Sequence, residues 1–264
     1  MNRIIVALFI IFGLSSCTSK FQEILKNKDI DYKVKMAEKY FEAKKYRNAQ
    51  QLFESVINFV KGTPRYEELY LMYANSYYND KDYDNAENLF KTFIEYFPNS
   101  TKTEEVEYLR AYTYFLRSPK AELDQTTTNR TIQLMQSFID AHPTSPRVKA
   151  ATETIDACRA KLELKDYKTA TLYYDLAFYR AAAISYGLLS DGYPDSKDAD
   201  KYKLLTLKAY FKFAENSFVE KQKERFDKVI EEYNDFVDRF SDSPLLSEAK
   251  KIKTQTDNIL NTIK

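Results

Sequence analysis

The sequence predicts an all-α solenoid of five divergent helix pairs, with a long connecting helix after the third pair and a capping helix at the C-terminus. Three observations predict it. A small residue followed by aromatics three and four positions later recurs four times, and a fifth copy keeps the aromatic at the fourth position. At 3.6 residues per turn this puts a point of close helix approach beside a pair of rings. A second small or β-branched residue, with a large apolar residue four positions on, follows each time. Finally, 4 Gly and 7 Pro in 264 residues, against 22 Tyr and 18 Phe, describe long helices around an aromatic core rather than tight β-turns.

The elements follow in order. The first-helix anchors are Ala37, Ala74, Ala111, Ala170 and Ala209, and the pairs after them are Tyr40-Phe41, Tyr77-Tyr78, Tyr114-Phe115, Tyr173-Tyr174 and Lys212-Phe213. The second-helix anchors are Ala49, Ala86, Thr131, Ala182 and Val229, with Phe53, Phe90, Met135, Tyr186 and Tyr233 one turn later. Each pair is expected to exit at Val60-Lys61-Gly62, Phe97-Pro98-Asn99-Ser100, His142-Pro143-Thr144-Ser145, Tyr193-Pro194-Asp195-Ser196 or Phe240-Ser241-Asp242-Ser243. Proline has no N–H and disfavours helical geometry in the residue before it, and the polar residues that follow can cap the next helix. The third and fifth pairs are interrupted by insertions, around Ser118 to Thr126 and from Ala214 to Arg225. Nothing after Pro146 breaks a helix before Gly187, so residues 147–174 form either one long helix or two with a bend. A charged helix from about Pro244 to Ile263 supplies the polar outer face that a terminal repeat needs.

Small-aromatic helix pairs punctuated in this way resemble the tetratricopeptide repeat. In that fold the position four after the first-helix alanine tends towards the concave surface, which nominates Phe41, Tyr78, Phe115, Tyr174 and Phe213, with Tyr112 and Tyr210 beside them, as candidate partner-binding residues. Two uses are open: a ladder that grips an extended or helical peptide, or packing of successive repeats on one another. Some members of that fold clamp a chain-end carboxylate with Lys and Asn. The matching positions here are Val34, Glu38, Leu71 and Asn75, of which only Asn75 fits.

The N-terminus is a separate object. Arg3 precedes an apolar run from Ile4 to Leu14, which is shorter than the roughly 20 residues a bilayer requires, and Leu14-Ser15-Ser16-Cys17 follows at once. That tetrapeptide resembles the lipobox of bacterial lipoproteins. The resemblance implies that residues 1–16 are removed and that Cys17 becomes an acylated N-terminus, attached to the membrane by several acyl chains. Thr18 after the cysteine, in place of aspartate, points to the outer membrane. The expected organisation is therefore a signal peptide over 1–16, a lipidated tether over 17–29, repeats one to three over 30–145, and the connecting helix, repeats four and five and the cap over 146–264. Cys158, the other of the 2 cysteines, reads as a small apolar filler.

Composition and motifs exclude several functions. With 40 basic and 39 acidic residues the formal charge is +1, which offers no sustained field for nucleic acid. There is no Gly-rich phosphate loop, HExxH, CxxC or GxSxG, and the single histidine, His142, occupies a helix-end slot filled elsewhere by Phe97, Tyr193 and Phe240. The expectation is a protein that is not an enzyme, with no catalytic residue, metal or cofactor.

A lipobox, a short tether and five divergent repeats together resemble the BamD family of lipoproteins, and the similarity looks closest to members from Bacteroidetes. Ser118-Pro119 and Leu123-Asp124-Gln125 in the interrupted third repeat, the Phe-Pro-Asn-Ser type of exit, and Ala214-Glu215-Asn216-Ser217 in the fifth carry the likeness. The resemblance implies a scaffold of the β-barrel assembly machinery on the periplasmic face of the outer membrane. Its C-terminal repeats would engage the POTRA domains of a BamA-like barrel protein, and its N-terminal repeats would receive the C-terminal strand of unfolded outer membrane proteins. Ser118, Pro119, Leu123, Asp124 and Gln125 form a candidate family loop. Two other readings are a different periplasmic tetratricopeptide lipoprotein and, more remotely, a glycan-binding lipoprotein, for which this chain lacks tryptophan.

Overall fold

The structure, a computed structural model, describes residues 20–263, and twelve helices and no strand occur among them. A short helix α1 (20–26) precedes five pairs. These are α2 (Ile30–Glu42) with α3 (Tyr46–Val56), α4 (Tyr66–Asn79) with α5 (Tyr83–Tyr96), α6 (Thr103–Arg117) with α7 (Thr126–Ala141), α8 (Val148–Asp175) with α9 (Tyr179–Gly192), and α10 (Ala199–Glu215) with α11 (Val219–Arg239). The cap is α12 (Leu246–Thr262). This is the all-helical, tetratricopeptide-like architecture that the spacing predicts. The segment 147–174 is one helix: α8 runs 28 residues without a break.

The anchors do what small residues do at a helix crossing. Ala37, Ala74, Ala111, Ala170 and Ala209, and the second-helix Ala49, Ala86, Thr131, Ala182 and Val229, are all at most 1% exposed. With no side chain beyond a few atoms, they let paired axes approach closely while neighbouring rings fill the groove. Thr131 satisfies its hydroxyl by donating to the Thr127 carbonyl one turn back, at 2.9 Å.

Turns and exits are built by recurring devices. In the first, second and fourth pairs the chain turns through a left-handed residue at the same step, Lys44 (φ 57°), Lys81 (φ 66°) and Ala177 (φ 59°). At four exits an aromatic ring residue closes the helix, with the N–H of Phe97, His142, Tyr193 and Phe240 bonded to the carbonyl four residues back. The first exit departs from expectation. Helix α3 stops at Val56, residues 57–59 continue as turns into a bend at Val60, and the left-handed residue Gly62 (φ 82°) follows.

The exit serines are not the caps of the next helices. After Ser100, Ser196 and Ser243 the N-cap residues are Lys102, Asp198 and Leu245, none with a side-chain cap bond. Instead, each serine hydroxyl accepts an N–H two residues on and donates to an acid on the first helix of its own repeat. Ser100 reaches Glu67 at 2.7 Å and Ser243 reaches Asp200 at 2.6 Å, while Ser145 pairs with Glu104 and Ser196 with Glu163. A hydroxyl bound to a carboxylate on one side and a turn N–H on the other fixes where each repeat ends.

The chain forms two compact units. One comprises the chain up to Pro119 with Gln125–Cys158; the other comprises Lys120–Asp124 with Arg159–Lys264. The division falls inside α8. Helix α1 belongs to the first unit, where Phe21 is buried and meets Tyr40 edge-on at 5.6 Å. The first unit's core runs from Phe21 through Leu52, Phe53, Leu69, Phe90 and Phe93 to Val106, then through Tyr108, Met135 and Phe138 to Ile155. In the second unit, Tyr186, Leu189 and Tyr202 form one cluster, and Leu207, Phe226, Phe236 and Ile252 another.

Candidate protein-binding surfaces

All seven rings nominated by the repeat pattern are half-buried. In three repeats the ring four after the first-helix alanine closes its own turn, edge-on against the residue that opens the second helix. Phe41 meets Tyr46 at 5.7 Å, Tyr78 meets Tyr83 at 5.8 Å, and Tyr174 meets Tyr179 at 5.3 Å. This use within a single repeat is additional to the two that the sequence leaves open. In the interrupted third and fifth repeats the insertion moves that partner away. Phe115 packs on Tyr112 at 5.4 Å instead, and Phe213 lies 4.1 Å from the Arg225 guanidinium.

In the first unit the rings become an aromatic strip on the first-helix side. Tyr112 stacks on Tyr108 at 5.8 Å and 15°, and Tyr78 packs on Phe90 at 5.9 Å. Burial pushes the Tyr78 phenol up to about 12, reinforced by the charges of Tyr112, Tyr83 and Tyr108. Burial also raises Tyr108. Over Tyr108, at 4.8 Å, sits the guanidinium of Arg147, which grips the Glu105 carboxylate with two N–H donors, one of them 2.7 Å from its acceptor. The Glu105 bond raises the arginine further. Tyr108 and Arg147 thus complete a surface that the repeat pattern only partly names. Tyr108 lies three residues before Ala111 on the same helical face, a signal available in the sequence. Arg147 is brought there by the third exit, and no local pattern marks it.

The second unit does not gather its nominees on one surface. Tyr174 lines a groove of 670 Å³ with Lys208, Phe211 and Lys212 of α10 and Ile252, Gln255, Asn258 and Ile259 of α12. Tyr210 and Phe213 line a different cavity, facing α11. In the fifth repeat the insertion makes α11 21 residues long, with its Arg225 over Phe213 and its Lys228 over Tyr210. Burial raises both Tyr174 and Tyr210.

The third-repeat loop is held from both sides. The Ser118 and Thr128 hydroxyls bond at 2.5 Å, and Thr128 donates to the Gln125 side-chain carbonyl at 2.6 Å. Between them Ala121 is buried, Lys165 donates to the Leu123 carbonyl at 2.7 Å, and Lys168 pairs with Glu122. Leu123 keeps an exposed side chain. Pro119 directly precedes, and Asp124 ends, the five residues that group with the second unit. His142 ends α7 as its slot implies, its ring 5.1 Å from Phe138 and its Nε2 2.6 Å from a Glu107 carboxylate oxygen. Cys158 is buried in α8. The acylation assigned to Cys17 lies outside the described residues.

Comparison with known families agrees with this architecture. The YfiO model, described as an outer membrane lipoprotein, matches residues 30–226, from the first residue of α2 into α11. A search among curated proteins returns no match. A match that runs from the first helix pair into the second helix of the fifth, over a solenoid whose third and fifth pairs carry the insertions described above, places the chain in the YfiO, or BamD-type, family of outer membrane lipoproteins.

Proposed function

We propose that the protein is a lipid-anchored scaffold of outer membrane β-barrel assembly, and that it works by holding proteins rather than by catalysis. The family match across the repeats carries this reading. Acylated Cys17 holds the chain on the periplasmic face of the outer membrane. The aromatic strip of the first unit, with Tyr78, Tyr112 and Phe115 beside Tyr108 and Arg147, receives an extended strand of an unfolded outer membrane protein. The rings offer apolar edges and the phenols offer hydrogen bonds, which suits a strand with alternating side chains. The repeats of the second unit engage a BamA-like barrel protein through its POTRA domains.

Gentle solubilisation of outer membranes that contain the lipidated, C-terminally tagged chain tests the proposal. Near-stoichiometric recovery of a barrel protein with POTRA domains is the expected result. Recovery of a different envelope complex, with the bait intact, refutes the assembly role while leaving family membership untouched.

A further inference from the structure

Positive charge is unevenly placed along a chain whose formal balance is only +1. Residues 20–47 hold nine basic and five acidic residues, and from residue 48 onward acids outnumber bases. Arg47 is tied to Asp80 and Glu38 to Arg65, but no lysine from Lys20 to Lys45 pairs with a carboxylate among the described residues, whereas Lys203, Lys208 and Lys228 do. Helix α1 brings part of this charge to a fixed place. Phe21 is buried, Ile24 and Leu25 pack on the same core, and Lys20, Gln22, Glu23 and Lys26 are left exposed. Lys28 in the following link and Lys35 in α2 are exposed too. Of the nearby acids, Asp29 is engaged at the start of α2, where its carboxylate accepts the Tyr32 N–H at 3.0 Å. Glu23 and Asp31 only partly offset the four exposed lysines.

We propose that the exposed side of α1 and the start of α2 rests on anionic phospholipid headgroups of the leaflet that holds the lipid anchor. The inference deepens the proposed function and rests on its acylated Cys17. Lys20 follows Cys17 by three residues, a reach of about 11 Å at full extension. That is comparable with the Debye length of about 8–10 Å, so the first lysines cannot leave the field of a charged leaflet. The docking of Phe21 against Tyr40 passes this restraint to the first helix pair instead of leaving it in a loose leash. Lysine suits the contact, because a point charge on a flexible stem follows headgroups that shift in a fluid leaflet. An acidic protein drawn to the same lysines would have to displace a surface already tethered beside them.

The test couples the full mature chain through its Cys17 thiol to maleimide lipid in vesicles, so that an anchor is present whether or not cells acylate it; Cys158 is buried and does not compete. The vesicles are phosphatidylcholine alone or phosphatidylcholine with one third phosphatidylglycerol, in low and in high salt. Acetylation of each lysine by an uncharged reagent is followed by mass spectrometry. Lys26, Lys28 and Lys35 are expected to react about fivefold more slowly on the anionic vesicles, the weight of one lysine near such a surface, and to regain their rate in high salt. The exposed Lys223, Lys250 and Lys251 should react equally on both. Lys26→Gln with Lys28→Gln should return Lys35 to its rate on neutral vesicles. Equal rates on both vesicles, slowing confined to Lys20 as a tether without contact would give, equal slowing of Lys223, Lys250 and Lys251, or a Lys35 still slow in the double variant would each overturn the proposal. The mass of the N-terminal peptide from cells reads acylation separately: an unmodified Cys17 would overturn the anchor and the proposal with it, whereas an acylated Cys17 with equal rates would overturn the proposal alone.

Discussion

Replacing Tyr78 by alanine separates a ring that holds the fold from one that waits for a ligand. Full truncation of a buried aromatic costs about 3–5 kcal/mol. Tyr78 is half-buried but contacts Tyr83 and Phe90 at 5.8 and 5.9 Å, so Tyr78→Ala is expected to cost about 2–3 kcal/mol, part of it from the lost ring pairs. Phe115 touches a single ring, Tyr112, and Phe115→Ala is expected to cost only about 1–2 kcal/mol. Urea unfolding at neutral pH, followed on the transition of the first unit, measures both. Capture of an unfolded outer membrane protein by the same variants measures binding. Tyr78→Phe removes only the phenol and serves as the control for a hydrogen bond to ligand. An unchanged urea midpoint in Tyr78→Ala would refute the packing argument and leave the ring wholly to a partner. Unimpaired capture by Phe115→Ala would remove the strip from the binding surface.

Three further outcomes are expected. Burial pushes Tyr70 and Tyr78 up to about 12 and also raises Tyr66 and Tyr108, so the unfolded chain loses phenolic protons first; stability should be complete below the ordinary value of 10 and fall as pH rises through 10 to 12, read by urea midpoints across that range. Lys203 is buried between Glu232 and Asp235, and Lys203→Met should cost about 1–3 kcal/mol in urea, less than an orphaned buried charge because Glu232 keeps Lys228 at 3.2 Å and Asp235 keeps Arg239 at 3.6 Å. Burial alone would raise Asp235, but Lys203 and Arg239 hold it below its ordinary range, so its contribution is present above the unfolded value and lost as pH falls through the folded one; the variant should flatten this acid limb. Ala177 sits at φ 59°, where a Cβ is strained, so Ala177→Gly should raise stability by about 0.5–1 kcal/mol, visible as a higher melting temperature.

The helix pairs were legible because their signal is steric and periodic: only a small residue fits where Ala37 or Ala74 lies between crossing helices. The exits were legible as breaks but not as bonds. That Ser100, Ser145, Ser196 and Ser243 reach back to Glu67, Glu104, Glu163 and Asp200 depends on how the two helices of one repeat close over 33 to 43 residues of chain, which no local window contains. That Tyr210 and Phe213 line a different cavity from Tyr174 was not legible for a related reason. The repeat register locates a ring along its own helix, whereas its surface is set by what lies opposite, and here that is the extended α11.

The two insertions show how equal interruptions of one repeat acquire different uses. In the third repeat Pro119 follows Ser118, which takes an extended conformation (φ −62°, ψ 120°) and ends α6 at Arg117. A residue before proline is driven out of helical geometry, so the extra residues cannot prolong the helix and leave it as a loop. That loop then meets Lys165 and Lys168 of α8. The fifth insertion has no proline between Ala214 and Arg225 and is rich in Glu, Lys and Gln, so its residues extend α10 to Glu215 and begin α11 at Val219. As a helical extension it holds Arg225 over Phe213 at a cavity wall. A single proline therefore decides whether an insertion braces the solenoid or builds a pocket on it. A proline at Lys223, inside α11, should disrupt the first turns of that helix and cost about 3 kcal/mol or more in urea. If Lys223→Pro unfolds at the same urea midpoint as the parent chain, the inserted residues are not held as a continuous helix and this account of the insertion fails.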